Sequence, residues 1–341
     1  MPAVSEKRRA MANFPQRRMR RLRRNPAIRE LLSETRLSRH DLVQPLFACD
    51  GEGIDRPVEA LAGQSHHSTD RIGERALSVK EAGISAVILF GIPDRKDATG
   101  SSSLDPEGVV PRAIRAVRES VPEMIVIADV CLCEFTDHGH CGVLQEQSPG
   151  EFKVDNDATL EALSRQSTIL ADAGCDIVAP SAMADGQVQA IRVALDAAGH
   201  EEVMILSYAA KYASAYYGPF REAVKSAPAG GDRLGYQMDP RNAREALQEV
   251  ALDIDEGADI VMIKPALPYL DIIARVHDTF EVPVAAYHVS GEWAQIQAAA
   301  EQGLIDGDQV YLESLQAIRR AGASIIVTYG AEQAARMLGS C

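Results

Sequence analysis

Short apolar runs alternate with longer segments of helical periodicity along most of the chain. This alternation is typical of repeated βα units around a parallel sheet whose strands are buried on both faces. Eight strands are predicted, at Leu42–Ala48, Ala86–Gly91, Met124–Val130, Asp176–Ser181, Val203–Tyr208, Asp259–Lys264, Val282–Val289 and Ser324–Tyr329. Helices are predicted at Ile72–Glu81, Pro111–Ser120, Ala158–Ala173, Gln187–Ala198, Ala243–Glu256, Tyr269–Thr279, Glu292–Gln302 and Tyr311–Ala321.

Four strands are preceded by similar phrases, AGISAVILF, AGCDIVAPS, EGADIVMIK and AGASIIVTY. Their glycine suits the left-handed residue that ends many helices. A doubly wound open sheet would give similar local patterns, but eight units fill a closed barrel, and no GxGxxG or GxxxxGK loop follows any strand. We therefore predict an α/β chain with a single (β/α)8 TIM-type barrel in residues 36–341 and an extended N-terminal arm in residues 1–35.

The charge distribution limits the classes of partner. A net charge of −14 argues against a general nucleic-acid-binding surface. Residues 7–24 are the exception, with one lysine and eight arginines. This basic run would contact the acidic body of a neighbouring subunit, remain solvated, or bind RNA or an acidic membrane. No apolar stretch is long enough for a membrane helix, and arginines stand where a signal peptide would be apolar, so a cytoplasmic location is expected.

Two lysines occupy positions where barrel enzymes place their chemistry. Lys264 closes the predicted sixth strand in DIVMIKP, and Lys211 follows the fifth in SYAAKYAS. A lysine attacks a carbonyl only when it is unprotonated, which requires apolar burial or a second cation nearby. Alternatively, Lys211 is an ordinary loop cation and Lys264 merely caps a strand. The long segment that follows, residues 211–236, is a candidate lid.

Three cysteines cluster after the predicted third strand, in DVCLCEFTDHGHCG. Thiolates of Cys131, Cys133 and Cys141 would suit zinc, and three protein ligands leave a coordination position open for catalysis. A structural Cys3His site would instead use His138 or His140, and a third alternative is three buried thiols without a metal. Six cysteines in a chain of this length do not indicate a disulfide framework.

Beyond these local patterns, long motifs resemble the porphobilinogen synthase (5-aminolevulinate dehydratase) family, in its zinc-dependent, cysteine-rich form. They are DVCLCEFTDHGHCG, APSAMADGQVQAIR, SYAAKYASAYYGPFREA, GDRLGYQMDPRNAREAL, IVMIKPALPYLDI and YHVSGEW. The resemblance implies a lyase of tetrapyrrole (haem) biosynthesis that joins two 5-aminolevulinate molecules into porphobilinogen with loss of two waters. It implies a homo-octamer in which N-terminal arms contact neighbouring barrels.

The same resemblance implies the roles of individual residues. Lys264 and Lys211 would form Schiff bases with the two substrates, Asp129 would be an active-site acid, and the three cysteines would bind zinc. For the substrate carboxylates, the resemblance implies Ser290 and Tyr329 at one molecule and Arg221, Arg233 and Gln237 at the other. Tyr217 and Phe220 would close the lid over the site. Ser181 is a further substrate-binding position, and Asp185 falls in a motif of less defined role. Glu249 would bind an allosteric magnesium. Glu134 stands where a proline is common, and Ala182 where some members have aspartate.

Two other functions remain compatible with parts of the pattern. Another Schiff-base aldolase or dehydratase of the barrel class, for example one acting on pyruvate, would use the lysines but would not need three cysteines. A zinc-sensing or RNA-binding barrel protein would use the arginine-rich arm and would show no turnover.

Overall fold

The computed structural model describes residues 14–148 and 151–339, except for the side chain of Glu151. The chain divides into two compact units, with the boundary between Arg36 and Leu37. Residues 7–13 of the basic run lie outside the described residues.

The N-terminal unit contains a 3-10 turn, Met19–Arg23, and one short helix, α1, Pro26–Leu31. The side chain of Asn25 caps this helix by accepting a hydrogen bond from the backbone N–H of Ile28 at 2.9 Å. No residue between 14 and 36 is buried, and several large apolar side chains are exposed.

The second unit contains a closed barrel of eight parallel strands, with neighbouring strands paired in chain order. Strand β1 pairs with β8 through Leu42 and Ile326, which closes the barrel. The strands are β1 Leu42–Cys49, β2 Ala86–Ile92, β3 Ile125–Val130, β4 Ile177–Pro180, β5 Met204–Lys211, β6 Ile260–Lys264, β7 Val284–His288 and β8 Ile325–Thr328. All eight predicted strands are confirmed, with ends that differ by at most three residues.

Helices follow the strands, and all but the short helix Gly218–Ala223, which lies in the segment 211–236, cover the outside of the barrel. They are α2 Ile72–Glu81, α3 Val109–Ser120, α4 Asn156–Asp172, α5 Gln187–Ala197, α6 Gly218–Ala223, α7 Arg244–Asp255, α8 Leu270–Thr279, α9 Ser290–Glu301, α10 Gly307–Ala321 and α11 Ala331–Leu338. The eight predicted helices are confirmed to within four residues at each end. Among the described helices, α1, α6 and α11 were not predicted.

The glycines of the four repeated phrases have the backbone conformation expected of them. Gly83, Gly174, Gly257 and Gly322 all have positive φ, between 87° and 120°. A residue with a β-carbon would be strained there, so these glycines let each helix end and the next strand begin within two or three residues.

Four short strands lie outside the barrel and were not predicted. Asp55–Pro57 and Ser65–Ser68 extend the sheet beside β1, and Leu144–Ser148 pairs with Glu151–Val154 as a separate antiparallel ribbon. Among the described helices, none is both long and apolar enough to cross a membrane.

Candidate active site

Two lysines end neighbouring barrel strands and face one another. Lys211 is the last residue of β5 and Lys264 the last of β6, and the two are direct partners in the strand register. Both side chains are buried. They line a cavity at the carboxyl ends of the strands, which is the end where barrel enzymes carry out their chemistry.

Lys264 has surroundings that favour its neutral form. Burial, and then the positive charge of Lys211, lower the pKa of the Lys264 amine from 10.5 to about 7. The charges of Asp129, Cys133 and Glu134 act in the opposite direction. At neutral pH about half of the Lys264 amines therefore carry a free lone pair, compared with fewer than about one in a thousand for an ordinary lysine.

Lys211 belongs to a polar chain that connects three strands. Its Nζ donates a hydrogen bond to the carbonyl of Ser181, and the Ser181 hydroxyl donates to Oδ2 of Asp129 at 3.2 Å. The other carboxylate oxygen of Asp129 is buried and has no hydrogen-bond partner within residues 14–148 and 151–339. Burial raises the pKa of Asp129 to about 6, and the charges of the two lysines limit the rise. Asp129 is therefore placed to hold or release a proton near neutral pH.

Three cysteines converge beside this chain. The sulfur atoms of Cys131, Cys133 and Cys141 all lie within 4.8 Å of one another, and all three side chains are buried. Hydrogen bonds from Cys131 and Cys133 are the main cause that lowers the pKa of the Cys141 thiol. Three buried soft donors at this spacing fit a zinc-sized cation, and Cys133 also lines the cavity of the lysines.

The two histidines of the cysteine loop do not join the cluster. His138 Nε2 donates to the carbonyl of Ala98 at 3.1 Å, and His140 Nε2 donates to the carbonyl of Gly230 at 2.9 Å. The remaining ring nitrogen of His140 lies 3.2 Å from the hydroxyl of Tyr236. These contacts occupy the histidine nitrogens, so the geometry disfavours the Cys3His alternative.

The segment 211–236 covers the cavity and is tied to the cysteine loop. Arg233 donates from Nη2 to the carbonyls of Gly139 and Ser226, at 2.7 and 2.8 Å. Gly139 has φ of +70°, and a β-carbon there would lie 2.6 Å from the carbonyl oxygen of Ala227. Glycine at position 139 thus permits the backbones of the two segments to approach closely.

Comparison with known proteins agrees with this geometry. The family model described as delta-aminolevulinic acid dehydratase matches residues 16–337. The chain belongs to this family. A delta-aminolevulinic acid dehydratase of Synechococcus elongatus is 52% identical over 95% of this chain and 99% of its own length. One of Streptomyces coelicolor is 52% identical over 96% of this chain and 98% of its own.

A solved structure of a family member has the same fold. It is the delta-aminolevulinic acid dehydratase (porphobilinogen synthase) of Toxoplasma gondii in complex with the reaction product porphobilinogen, with a TM-score of 0.91 and 44% identity. The alignment covers 94% of this chain and 91% of that chain.

The remaining positions implied by the family resemblance surround the cavity in different ways. Tyr217, Phe220, Arg233 and Ser181 line it directly. Arg221 is half-buried, with its guanidinium carbon 5.9 Å from the ring centre of Tyr217.

Several buried polar atoms in this family site have no partner. Gln237 is buried, and in the described part of the chain neither atom of its side-chain amide has a hydrogen-bond partner; the same is true of Nε of Arg221 and Nε of Arg233. Such groups are costly to bury without a partner, which is consistent with a site that a polar ligand completes.

Ser290 and Tyr329 lie in the layer behind the cavity lining. Ser290 accepts a hydrogen bond from the backbone N–H of Phe220 at 3.1 Å and donates to the carbonyl of Tyr216 at 3.1 Å. Tyr329 accepts from the hydroxyl of Tyr287 at 3.0 Å. A contact between a substrate and Ser290 would require Tyr216 and Phe220 of the segment 211–236 to shift locally.

Glu249 lies elsewhere, on helix α7. It is half-buried, and burial followed by the charges of Asp185, Glu245 and Glu256 raises the pKa of its carboxyl. The structure therefore does not bring Glu249 together with the lysines and cysteines.

Sequence analysis did not assign a role to several groups that line or border the cavity. Glu134, noted only as a departure from the family pattern, lines the cavity, and burial followed by the charge of Asp129 raises the pKa of its carboxyl. Phe90 also lines it, and the rings of Tyr208 and Tyr287 lie beside Lys264. The available signal was that Phe90, Tyr208 and Tyr287 are aromatic residues within the barrel strands β2, β5 and β7.

Proposed function

We propose that the protein condenses two 5-aminolevulinate molecules into porphobilinogen, with loss of two waters, as a lyase of tetrapyrrole biosynthesis. The observation that carries this proposal is the meeting of two buried lysines, partners across β5 and β6, with three clustered cysteines at one cavity. Membership of the delta-aminolevulinic acid dehydratase family supports it.

In this proposal Lys264 is the nucleophile for one substrate. Its lowered pKa leaves an unprotonated amine to attack the substrate ketone. Lys211 engages the second ketone from the adjacent strand, and the short separation in register brings the two bound substrates together, which favours carbon–carbon bond formation. Asp129, with a pKa near 6, exchanges protons with the substrates.

The metal in this proposal is zinc, held by Cys131, Cys133 and Cys141. When bound there, zinc would supply Lewis-acid polarisation of a substrate oxygen or nitrogen. The histidines would not serve as ligands, because their ring nitrogens are hydrogen-bonded within the loop and to the lid.

The unpartnered polar groups above the cavity account for recognition of the substrate carboxylates. Arg221, Arg233 and Gln237 would hold one carboxylate, because guanidinium groups donate paired hydrogen bonds to carboxylate oxygens. Ser290 and Tyr329 would hold the other. Tyr217 and Phe220 would close over the imine and exclude water, and Ser181 would orient Asp129 through the hydrogen bond described above.

Two regulatory features accompany this proposal. The N-terminal arm would contact the acidic barrel of another copy in a homo-octamer: residues 1–35 hold ten of the 35 basic residues but three of the 49 acidic ones. The exposed apolar side chains of Phe14, Leu22 and Leu31 would be covered by that copy.

Glu249 would bind an allosteric magnesium, which would relieve the repulsion among the carboxylates around it.

The test is incubation with 5-aminolevulinate and zinc, followed by a colour reaction for pyrrole. The wild-type protein is expected to form the pyrrole, and borohydride is expected to trap substrate on Lys264. Lys264→Met should abolish both signals, whereas Lys153→Met, which changes an exposed lysine, should abolish neither. A Lys264→Met variant that still makes porphobilinogen would refute the assigned role.

A further inference from the structure

Four aromatic rings surround the nitrogen of Lys264. Its Nζ lies 4.2 Å from the ring centre of Tyr287, 5.0 Å from Tyr208, 5.2 Å from Phe220 and 5.4 Å from Tyr217. Among the residues that the structure describes, Lys211 has one such neighbour, Tyr208, at 5.5 Å. The two lysines therefore differ in surroundings although they are partners in the sheet.

Two of the four rings belong to barrel strands, and the other two belong to the lid segment 211–236. Tyr208 lies on β5 and Tyr287 on β7, and both are fully buried. Tyr217 and Phe220 belong to the segment 211–236. Closure of that segment over Lys264 is therefore what completes the set.

Aromatic faces attract cations, and the attraction grows when water is excluded, as it is around Lys264. Among the described residues, no hydrogen bond or ion pair to Lys264 Nζ is found, and the four rings lie within 4.2 to 5.4 Å of it. The charged or titratable groups that face it are Lys211, Asp129, Glu134 and Cys133.

We propose that these four rings form a cage that stabilises the cationic iminium formed on Lys264. This inference rests on the proposed Schiff-base function and assigns a role to Tyr208 and Tyr287 in it. In the step concerned, the neutral amine adds to the ketone carbon, the electron pair of the C=O π bond moves to the oxygen, and one proton passes from the nitrogen to that oxygen. The resulting hydroxyl takes up a second proton, which Asp129 can supply, and leaves as water while the nitrogen lone pair forms the C=N bond, so the nitrogen gains a positive charge.

The aromatic cage favours the protonated form of the free lysine less strongly than a carboxylate partner would. A carboxylate in contact with Lys264 would stabilise the iminium, but it would equally favour the protonated lysine and so suppress the attacking amine. The weaker attraction of aromatic faces leaves burial and Lys211 free to keep the amine neutral near pH 7. Above that pH, the attraction is gained only when the iminium forms.

Paired substitutions at Tyr287 separate the ring from its hydroxyl. Tyr287→Phe keeps the ring and loses the hydrogen bond to Tyr329, whereas Tyr287→Leu loses both. The probe is 4-oxopentanoate, the carbon skeleton of the substrate without its amine, trapped with cyanoborohydride and quantified by mass spectrometry of the peptide that contains Lys264. The concentration for half-maximal trapping is measured in the full-length, zinc-loaded protein at pH 8.5 and at pH 6.

We expect Tyr287→Leu to need about 30-fold more 4-oxopentanoate than Tyr287→Phe at pH 8.5, which corresponds to a desolvated cation–π contact. At pH 6 the difference should shrink, because the free lysine is then itself a cation that the ring stabilises. A purely structural role would give the same ratio at both pH values. The pair Tyr208→Phe and Tyr208→Leu provides a second comparison if Tyr287→Leu does not fold.

Equal trapping by the Phe and Leu variants at both pH values would overturn the cage. Failure of the proposed function gives a different result: wild-type protein would trap 4-oxopentanoate with the same dependence on the ring but would form no pyrrole from 5-aminolevulinate. A wild type that forms no adduct on Lys264 at all would overturn both.

Discussion

The dependence of Lys264 on the charge of Lys211 gives a quantitative prediction. Both Nζ atoms lie beside the ring of Tyr208, at 5.5 and 5.0 Å from its centre, and the sum of these distances is an upper limit to their separation. At that limit, with an effective dielectric constant of about 20, two unit charges repel by about 1.6 kcal/mol. This energy corresponds to about one pKa unit.

The perturbation is Lys211→Met, with Lys211→Arg as the matched control that keeps the charge. Because the charge of Lys211 lowers the pKa of Lys264, its removal should raise that pKa from about 7 by at least about one unit. The neutral fraction of Lys264 at pH 7 then falls from about one half to about one tenth, so imine formation slows about fivefold.

The assay is the initial rate of cyanoborohydride trapping of 4-oxopentanoate on Lys264 between pH 5.5 and 9. The rate should rise with pH through the pKa of the lysine, and its midpoint should move to higher pH in Lys211→Met but stay near the wild-type value in Lys211→Arg. Identical midpoints in the two variants would refute the electrostatic coupling, and a shift to lower pH would reverse its sign.

Three further predictions concern the lid, the metal and the arm. Gly139→Ala should weaken substrate binding at least tenfold, because the added β-carbon collides with the lid backbone. Gly231→Ala, the control, has a similar positive φ but open space around it, so it should lower only the stability. Measurements of KM and of the melting temperature distinguish the two effects. Cys133→Ala should lose bound zinc, as measured by mass spectrometry of the metal. Cys175→Ala, which changes a buried cysteine outside the cluster, should retain the zinc. Zinc retained by Cys133→Ala would contradict the proposed zinc site. Deletion of residues 1–24 should reduce the assembly size in analytical ultracentrifugation, and an unchanged assembly would remove the arm from the contact.

Elements whose signal is local could be predicted from the sequence. All eight barrel strands are mainly apolar runs, with few polar residues such as Gln44 and Ser207, and burial on both faces of a parallel sheet favours such runs. The short helix Gly218–Ala223 and the ribbon of Leu144–Ser148 and Glu151–Val154 were missed. Each is short, and the ribbon strands are largely exposed, so neither carries a periodic pattern long enough to detect.

The lysines and two of the cysteines were also predictable, because Lys211 and Lys264 end buried strands, Cys131 and Cys133 follow one within three residues, and parallel strands bring their carboxyl ends to one rim. The family motifs added the lid residues. Glu134 and the aromatic neighbours of Lys264 were not predicted as functional, since apolar residues on a barrel strand are expected whether or not they border a site.

The sequence alone determined the order and type of the secondary-structure elements, because these depend on the periodicity of apolar residues. It also determined which residues are able to act as nucleophile and metal ligand, because this depends on side-chain chemistry. Only the tertiary structure decided which charges and rings face Lys264. The charge of Lys211 and the ring of Tyr208 come from β5 and the ring of Tyr287 from β7, whereas Lys264 itself lies on β6. Closure of the barrel brings these distant residues within a few ångströms, where charge and solvation set the reactivity of the amine.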